Sequence, residues 1–293
     1  MATLSQWIEG ARPRTFPAAI SPVLVGTGAA YGTGNVVWGY ALLALAVSLA
    51  LQVGVNYAND YSDGIRGTDE VRVGPIRLVG QRLADPSSVK FAAWACFFFG
   101  GLCGLALVAL SGLWIMIPIG AACVAAAWYY TGGTRPYGYL GLGELFVFVF
   151  FGLVATIGTM ATMTPPTPAG WFGAVGVGTL ASAILVANNL RDIPTDREHG
   201  KRTLAVRIGD RGTRTFYVVL IAVAYVMTGL AAYTSPLALI AVLATPLVVR
   251  PLRAILGGEL GRGLIPALAG TGLFLLGWSA LLGLGLALGH HVG

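Results

Sequence analysis

The chain has 293 residues, of which 56% are hydrophobic and only 10% are charged, and its mean hydropathy is +0.76. A soluble domain usually carries about 25% charged residues, so this composition excludes an ordinary soluble enzyme and indicates that lipid is the main solvent. The net charge is +6. The basic residues lie between apolar segments, which favours cytoplasmic loops and anionic ligands and argues against nucleic acid as a partner.

A short polar segment and nine apolar segments follow one another along the chain. The segment Leu4–Gly10 predicts a short interfacial helix anchored by Trp7. Each apolar segment is about 20 residues long, the length of a helix that crosses the hydrocarbon core of a bilayer. We therefore expect one all-helical integral membrane domain over residues 1–293, with nine transmembrane helices. The apolar segments cover residues 16–33, 37–58, 90–110, 113–130, 143–163, 169–190, 214–233, 236–256 and 264–288.

The charged residues are confined to one side of this predicted bundle. All 18 Lys and Arg residues lie in the N-terminal segment or in and beside the loops that follow the second, fourth, sixth and eighth apolar segments. The connections on the other side, at residues 33–36, 111–112, 164–170 and 234–235, carry no charge. Because positively charged loops stay in the cytoplasm, we expect a multi-pass protein of the cell (inner or plasma) membrane, with its N-terminus inside and its C-terminus outside.

Asn and Asp residues gather where the second and sixth apolar segments end. The two clusters are 132 residues apart, since Asn56 matches Asn188 and an Asp follows each of them four residues later. This repeat predicts two pseudo-repeated four-helix halves, plus a ninth helix, that bring the clusters together. Residues four apart share a helix face, although Pro194 limits regular helix and should leave Asp196 on a turn. The clusters comprise Asn56, Asn59, Asp60 and Asp63 in the first half and Asn188, Asp192 and Asp196 in the second.

Paired carboxylate clusters are typical of a magnesium–diphosphate site. Mg²⁺ takes oxygen ligands, usually a few carboxylates with phosphate oxygens completing the shell, and Mn²⁺ suits the same ligands. Such ions neutralise a diphosphate and stabilise it as a leaving group. The expected metal-binding and catalytic residues are Asp60, Asp63, Asp192 and Asp196.

Polar and basic residues around these carboxylates are expected to hold the substrate. The stretches 59–89 and 188–214 are interpreted as cytoplasmic loops that cap a central cavity, and Arg binds phosphate oxygens through two N–H groups at once. Residues 131–144 and 12–15 each either contact substrate at the cavity mouth or anchor the chain at the membrane interface. The candidate substrate contacts are Asn56, Asn59, Asn188, Arg66, Arg72, Arg77, Arg135, Tyr139, Lys201 and Arg207.

The two Asp motifs together resemble those of the UbiA-type superfamily of intramembrane aromatic prenyltransferases, whose nine-helix bundle matches the segment count. Further stretches look like the 1,4-dihydroxy-2-naphthoate polyprenyltransferases of menaquinone synthesis. One departure concerns the third acid that many members carry in the first motif. Its position here is Gly67, and Asp69 follows two residues later. The stretches that carry the closer resemblance are residues 12–15, 59–64, 74–78, 133–144, 188–193 and 200–207.

This resemblance implies electrophilic aromatic prenylation. A polyprenyl diphosphate held through Mg²⁺ ionises in an apolar cavity that excludes water, and the electron-rich ring of 1,4-dihydroxy-2-naphthoate attacks the allylic cation. Loss of carbon dioxide and diphosphate then gives demethylmenaquinone. A cation is expected to meet the carboxylate of the acceptor, and Arg135, Lys201 and Arg207 are the alternatives. The length of the prenyl chain and the oligomeric state do not follow from the motifs.

Other functions compete with this one. A related enzyme would use another acceptor, such as 4-hydroxybenzoate, homogentisate, haem or a phosphoribosyl compound. A phosphatidyl-group transferase also pairs Asp motifs with Mg²⁺, but its motif has an Ala-Arg pair that is missing after Asp63-Gly64. A transporter of lipid or prenyl phosphate would also suit duplicated halves, yet the uncharged side of this chain offers no matching gate.

Overall fold

The computed structural model describes residues 2–67 and 76–289, and within these ranges the chain is helical and contains no strand. The α6 helix contains a π-helical stretch, Phe148–Val154, and α9 begins as the 3-10 helix Pro236–Ala244. The helices are α1 (Leu4–Gly10), α2 (Phe16–Gly32), α3 (Trp38–Ile65), α4 (Pro86–Ser111), α5 (Met116–Tyr129), α6 (Gly143–Ala161), α7 (Pro168–Glu198), α8 (Leu204–Thr234), α9 (Pro236–Leu256) and α10 (Gly261–Gly289).

The apolar segments of the sequence correspond to helices α2 to α10. Within the described ranges, seven of these helices are long and apolar enough to cross a membrane: α3, α4 and α6 to α10. The other two, α2 and α5, have 17 and 14 residues and are shorter than the roughly 20 residues that a span usually needs. The chain is thus a multi-pass, all-helical membrane protein, whereas nine spans and a repeat of two halves stay predictions.

The helices that carry the Asp clusters are longer than the sequence indicated. The α3 helix continues to Ile65 and α7 continues to Glu198, so both clusters lie on helix rather than in loops. Residues 188–214 do not form one long loop as predicted, because α7 ends at Glu198 and α8 begins at Leu204, with a kink at Gly209. The turn expected at Asp196 was wrong as well. Pro194 lies inside α7. This is possible because a proline removes one helical hydrogen bond and kinks a helix but does not have to end it.

Helices α2, α7, α8 and α10 form the close-packed side of the bundle. Their shared core contains Val25, Leu180 and Trp278, all fully buried. The indole N–H of Trp278 donates to Thr228 Oγ1 at 3.0 Å. A Cβ on Gly176 would lie 2.3 Å from the Trp278 ring, so this glycine gives the indole its space. Small residues at such seams let helices approach closely, which drives their association in lipid.

The other side of the bundle surrounds a cavity. The π-helical stretch of α6 crosses α7 so closely that a Cβ on Gly152 would lie 2.5 Å from Gly178 Cα. Stretches of π-helix are frequent at functional sites. This one supplies Phe150, Phe151 and Val154 to the cavity wall, so the local distortion aims large apolar side chains at the interior space.

Candidate active site

The cavity has a volume of about 1090 Å³ and runs along the length of α3. The α3 residues that line it form one stripe from Ala44 to Asp63. At 1.5 Å per helical residue this stripe is about 28 Å long, which is close to the hydrocarbon thickness of a bilayer. The deep part is lined by apolar residues such as Val47, Val108 and Met116. The cavity therefore suits a long hydrocarbon chain with a polar head at one end.

The charged residues of the cavity wall gather at the Asp63 end, which we call the mouth. Five cations and three carboxylates line it among the described residues. The mouth thus carries two positive charges in excess and favours an anionic ligand. These charged residues are Arg12, Arg14, Arg77, Arg191 and Lys201, and Glu9, Asp63 and Asp196.

The two Asp clusters meet at this mouth. Asp63, at the end of α3, is only 3% exposed, and its Oδ1 lies 3.5 Å from Lys201 Nζ and accepts a hydrogen bond from the Tyr139 hydroxyl. The Lys201 ammonium also lies 4.5 Å from the centre of the Tyr139 ring. The backbone N–H of Lys201 donates to the carbonyl of Asp196 at 2.8 Å. Asp63 and Asp196 both line this mouth, so residues of the two clusters are parts of one site.

Asp60 is turned away from the cavity. Its side chain is fully buried, and its oxygens accept hydrogen bonds from the backbone N–H groups of Leu78, at 2.7 Å, and Val79, at 3.0 Å. Asp60 is absent from the described residues that line the cavity, whereas the adjacent Arg77 lines it. Asp60 thus fixes the backbone of the chain segment that places Arg77 at the mouth.

In the second cluster, too, one Asp lines the cavity and another does not. Asp196 is 5% exposed and lines the cavity. Asp192 is held by Arg191, whose Nε and Nη2 lie 2.7 and 2.8 Å from the two carboxylate oxygens. The same Nη2 donates to Asn188 Oδ1 at 2.8 Å. Within the described chain it is Asn188 and Arg191 that line the cavity here, while Asp192 does not.

The remaining Asn residues hold neighbouring segments against α3. Asn59 Oδ1 accepts a hydrogen bond from the Thr131 hydroxyl at 2.8 Å. Asn56 Nδ2 donates to the Ala11 carbonyl at 2.9 Å and to Thr15 Oγ1 at 3.0 Å. Both Asn residues also line the cavity. They join the N-terminal segment and the loop after α5 to the mouth.

Three predicted arginines are exposed or peripheral. Arg66 is exposed and donates to the backbone carbonyls of Thr131 and Gly133. Arg135 and Arg207 are exposed and do not belong to the described cavity wall. Arg72, like Asp69, lies outside the described residues. The structure therefore brings Arg77 and Lys201 to the mouth but not Arg135 or Arg207.

The wall residues that were missed from the sequence include three with an amide or carboxylate side chain. Gln52 lines the cavity and donates to Thr15 Oγ1 at 2.9 Å, and Asn189 lines it and donates to Glu144 Oε1 at 2.9 Å. Glu9 of α1 is the third. A signal existed for Gln52, because it lies four residues before Asn56 inside an apolar segment, where polar side chains are costly and mark function.

The oxygen donors at the mouth suit Mg²⁺. Asp63, Asp196, Asn59 and Asn188 all line the cavity, and carboxylate and amide oxygens are hard ligands. Among the described residues no three His, Cys, Asp or Glu side chains form a group that could hold a metal ion on their own. Mg²⁺ is commonly held by one or two carboxylates together with substrate phosphates rather than by an all-protein cage, so the residues fit a metal that arrives with a diphosphate.

The fold and the site together define a multi-pass membrane protein in which a cationic, carboxylate-bearing mouth opens into a long apolar cavity. Residues 19–258 match the model of the UbiA prenyltransferase family, and the chain belongs to that family. It is 53% identical to 1,4-dihydroxy-2-naphthoate octaprenyltransferase of Mycobacterium tuberculosis over 293 residues, which cover 99% of each chain. It is 50% identical to the protein of that name from Mycobacterium leprae over 282 residues, or 95% of each chain.

The fold is shared with solved structures of the family. A UbiA homolog from Archaeoglobus fulgidus, bound to DMAPP and Mg²⁺, superposes with a TM-score of 0.65 and 14% sequence identity. The superposition covers 94% of this chain and 99% of that one. The helical arrangement is thus that of the UbiA fold, while the likeness of sequence lies with the mycobacterial relatives.

Proposed function

We propose that the protein transfers a polyprenyl group from polyprenyl diphosphate to 1,4-dihydroxy-2-naphthoate, with loss of carbon dioxide and diphosphate. This proposal rests on a cationic mouth that is continuous with an apolar cavity. The cavity is about 28 Å long, as estimated from a rise of 1.5 Å per residue of α3. The first part matches a diphosphate and the second matches a polyprenyl tail. The acceptor follows the names of the two mycobacterial relatives.

Different residues at the mouth would hold the metal ion and the phosphate groups of the donor. Asp63 and Asp196 face the cavity and would hold Mg²⁺, or Mn²⁺ in its place. Asp60 and Asp192 stay in the proposed ligand set, because a carboxylate has about four acceptor positions and their present bonds leave some of them open. When bound, the metal would neutralise the diphosphate and stabilise it as a leaving group. Arg77 and Arg191 would bind the remaining phosphate charge.

The proposed reaction needs no base, because carbon dioxide and not a proton leaves the alkylated ring carbon. The bond between the allylic carbon and the diphosphate oxygen breaks, and its electron pair leaves with diphosphate. A new carbon–carbon bond forms at the ring carbon that bears the carboxylate. The bond to the carboxylate then breaks, and its electron pair restores the aromatic ring as carbon dioxide leaves. The product is the quinol form of demethylmenaquinone. The apolar wall around Phe150 and Phe151 excludes the water that would otherwise capture the cation.

Lys201 is the proposed partner of the acceptor carboxylate. Of the three alternatives, Lys201 lines the cavity, whereas Arg135 and Arg207 are exposed. Lys201 also packs over the ring of Tyr139, so an aromatic acceptor beside it would meet both a cation and an aromatic face. A panel of acceptors that includes 4-hydroxybenzoate and homogentisate tests the choice of acceptor, and absence of turnover with 1,4-dihydroxy-2-naphthoate would refute that choice.

We further propose that the whole chain is one domain of nine transmembrane helices in two related halves, with the mouth in the cytoplasm. The charge asymmetry of the loops supports this orientation. Labelling of single cysteines placed in the Ser111–Met116 connection and in the loop after α5, in intact cells, tests it. The first should react from outside and the second should not.

The central experiment measures product formation by purified protein in detergent, where no gradient exists. Mass spectrometry of the product from 1,4-dihydroxy-2-naphthoate and a prenyl diphosphate identifies the reaction, and activity without a gradient excludes a pure transporter. Asp63→Asn and Asp196→Asn should abolish turnover. Asp210→Asn is the matched control, because Asp210 is an exposed helical Asp that pairs with Arg214 outside the cavity. Full turnover by the first two variants would refute the metal-binding role.

A further inference from the structure

Glu144 is a buried carboxylate that the proposed reaction does not use. It lies in the first turn of α6, is only 5% exposed and does not belong to the described cavity wall. Its Oε1 accepts a hydrogen bond from Asn189 Nδ2 at 2.9 Å, whereas Oε2 has no hydrogen-bond partner within the described chain. A buried acceptor without a partner costs stability, and ionisable groups in membrane helices mark function. The position of Glu144 therefore indicates a role other than stabilising the fold.

The contact with Glu144 fixes the orientation of the Asn189 amide. An ionised carboxylate only accepts hydrogen bonds, whereas an amide has a donor end and an acceptor end. The start of a helix favours a negative charge, which keeps Glu144 in the ionised form. The N–H₂ group of Asn189 must therefore face Glu144, and Oδ1 points away from it.

Asn189 Oδ1 is available to a ligand of the cavity. Asn189 lines the cavity, and among the described residues its side chain makes one hydrogen bond, through Nδ2 to Glu144. Oδ1 is not one of the fully buried side-chain atoms that lack a partner, as Glu144 Oε2 is. The amide thus presents an open, accessible acceptor to the interior space beside the mouth.

Aromatic side chains form the wall beside this amide. Tyr137 and Phe146 stack with ring centres 4.0 Å apart, and Tyr130 meets Tyr137 edge-on at 5.5 Å. All three line the cavity. A Cβ on Gly143, at the start of α6, would lie 3.5 Å from the Tyr130 hydroxyl, so the aromatic group borders the buried carboxylate. A flat aromatic ligand with a hydroxyl group matches this surface, since its ring packs on the aromatic wall and its hydroxyl can donate to Oδ1.

The acceptor of the proposed reaction has two ring hydroxyls, of which one is free to donate to the protein. The 1-hydroxyl is adjacent to the carboxylate and donates to it within the molecule. The 4-hydroxyl has no such internal partner. With the carboxylate at Lys201, donation from the 4-hydroxyl to Asn189 would hold the ring at two points and fix its orientation towards the donor.

We propose that Asn189 Oδ1 accepts a hydrogen bond from the 4-hydroxyl of the naphthoate and that Glu144 is the positioning residue that keeps this oxygen turned towards the cavity. This inference rests on the proposed function and adds to it the group that recognises the acceptor ring. Glu144 acts on the substrate through Asn189 and does not touch it.

The test compares 1,4-dihydroxy-2-naphthoate with 1-hydroxy-2-naphthoate, which lacks only the 4-hydroxyl. Equilibrium binding of each compound is measured with Mg²⁺ and inorganic diphosphate present, which can occupy the mouth without reacting. The unsubstituted protein should bind the dihydroxy compound about tenfold or more tightly, because the other compound leaves the Asn189 oxygen unpaired. Asn189→Leu keeps the shape of the side chain but removes the oxygen, so this variant should bind the two naphthoates about equally.

Glu144→Gln tests the positioning role without a change of volume. The new glutamine can accept from Asn189 or donate to it, so both amide orientations become available. The preference for the dihydroxy compound should fall about two- to fivefold, since affinity scales with the fraction of the competent orientation. Adding Asn189→Asp to Glu144→Gln reverses donor and acceptor and keeps an oxygen turned towards the cavity, so the double variant should recover the preference. A purely structural role of Glu144 would give no such recovery.

Glu259→Gln is the matched control, because Glu259 is exposed and does not belong to the described cavity wall. Its preference should equal that of the unsubstituted protein. Thermal unfolding shows whether each variant is folded. If Asn189→Leu does not fold, Glu144→Gln and the double variant still decide, because neither changes the size of a side chain.

Four outcomes would overturn the inference. They are an unsubstituted protein that binds both naphthoates equally, an unchanged preference in Asn189→Leu or Glu144→Gln, an equal loss of affinity for both compounds in Asn189→Leu, and a double variant without recovery. Failure of the unsubstituted protein to prenylate 1,4-dihydroxy-2-naphthoate in the turnover assay would instead refute the proposed function. The two failures are therefore distinguishable.

Discussion

Replacing Asp60 with Asn should loosen the segment that follows α3, even in the absence of metal. The fully buried carboxylate accepts backbone hydrogen bonds from Leu78 at 2.7 Å and Val79 at 3.0 Å. Asn offers one oxygen acceptor and one N–H₂ donor, so one of the two bonds becomes a contact between donors. A hydrogen bond to a charged group contributes about 1.5–3 kcal/mol. With the unpaired N–H included, we expect Asp60→Asn to destabilise the segment by about 2–4 kcal/mol.

Hydrogen exchange read by mass spectrometry measures this loss directly. Since each 1.4 kcal/mol is a factor of ten, the Leu78 and Val79 amides should exchange roughly 30- to 700-fold faster in Asp60→Asn, in detergent without Mg²⁺. Asp63→Asn is the control, because it leaves both bonds to Asp60 in place. If exchange is unchanged in Asp60→Asn, or rises equally in both variants, the reasoning that separates an anchoring Asp60 from a cavity-facing Asp63 is refuted.

Three further predictions concern other contacts. Lys201→Met removes the proposed partner of the acceptor carboxylate and should raise KM for 1,4-dihydroxy-2-naphthoate about tenfold or more, given the strength of charged hydrogen bonds, with partial recovery in Lys201→Arg. Steady-state kinetics that show an unchanged KM would contradict it. Gly152→Ala puts a methyl group 2.5 Å from the α7 backbone and should destabilise by about 1–3 kcal/mol through overpacking. Its melting temperature should fall, whereas that of Gly101→Ala should not, because Gly101 is an exposed glycine of α4 where a Cβ meets no described atom within 4 Å. Thr228→Val removes the acceptor of the Trp278 indole N–H and should cost about 1–2 kcal/mol, measured by thermal unfolding in detergent.

The sequence predicted the helices and the meeting of the clusters because both depend on local composition and on a repeat. An apolar run of sufficient length has few alternatives to a helix in lipid, since every backbone polar group must be satisfied within it. Each predicted segment accordingly corresponds to a helix, and Asp63 and Asp196 line the same cavity, which is consistent with the predicted meeting of the two clusters. Charge segregation and matched spacing were sufficient for this part of the site.

The orientation of individual carboxylates was beyond the sequence. Asp60 is held by amides 18 and 19 residues further along, a contact that no helical spacing specifies. Asp192 is held by the neighbouring Arg191, although adjacent helical residues do not face each other by geometry alone. In both cases the tertiary surroundings decide. The same holds at Pro194, where α7 continues through a residue that local rules treat as a helix end.

The different positions of the four Asp carboxylates have an electrostatic consequence. In each cluster one carboxylate lines the cavity, Asp63 in the first cluster and Asp196 in the second. The other carboxylate, Asp60 or Asp192, does not line the cavity and is hydrogen-bonded to protein groups. Asp60 and Asp192 position Arg77 and Arg191 without adding negative charge to the cavity wall, so among the described residues the cations that line the mouth exceed the carboxylates by two. An anionic head group is therefore attracted before any metal binds, and the cavity-facing carboxylate of Asp63 is held in place by Tyr139 and Lys201. Preorganisation of this kind lowers the cost of reorganising the site when charge separates during ionisation of the donor.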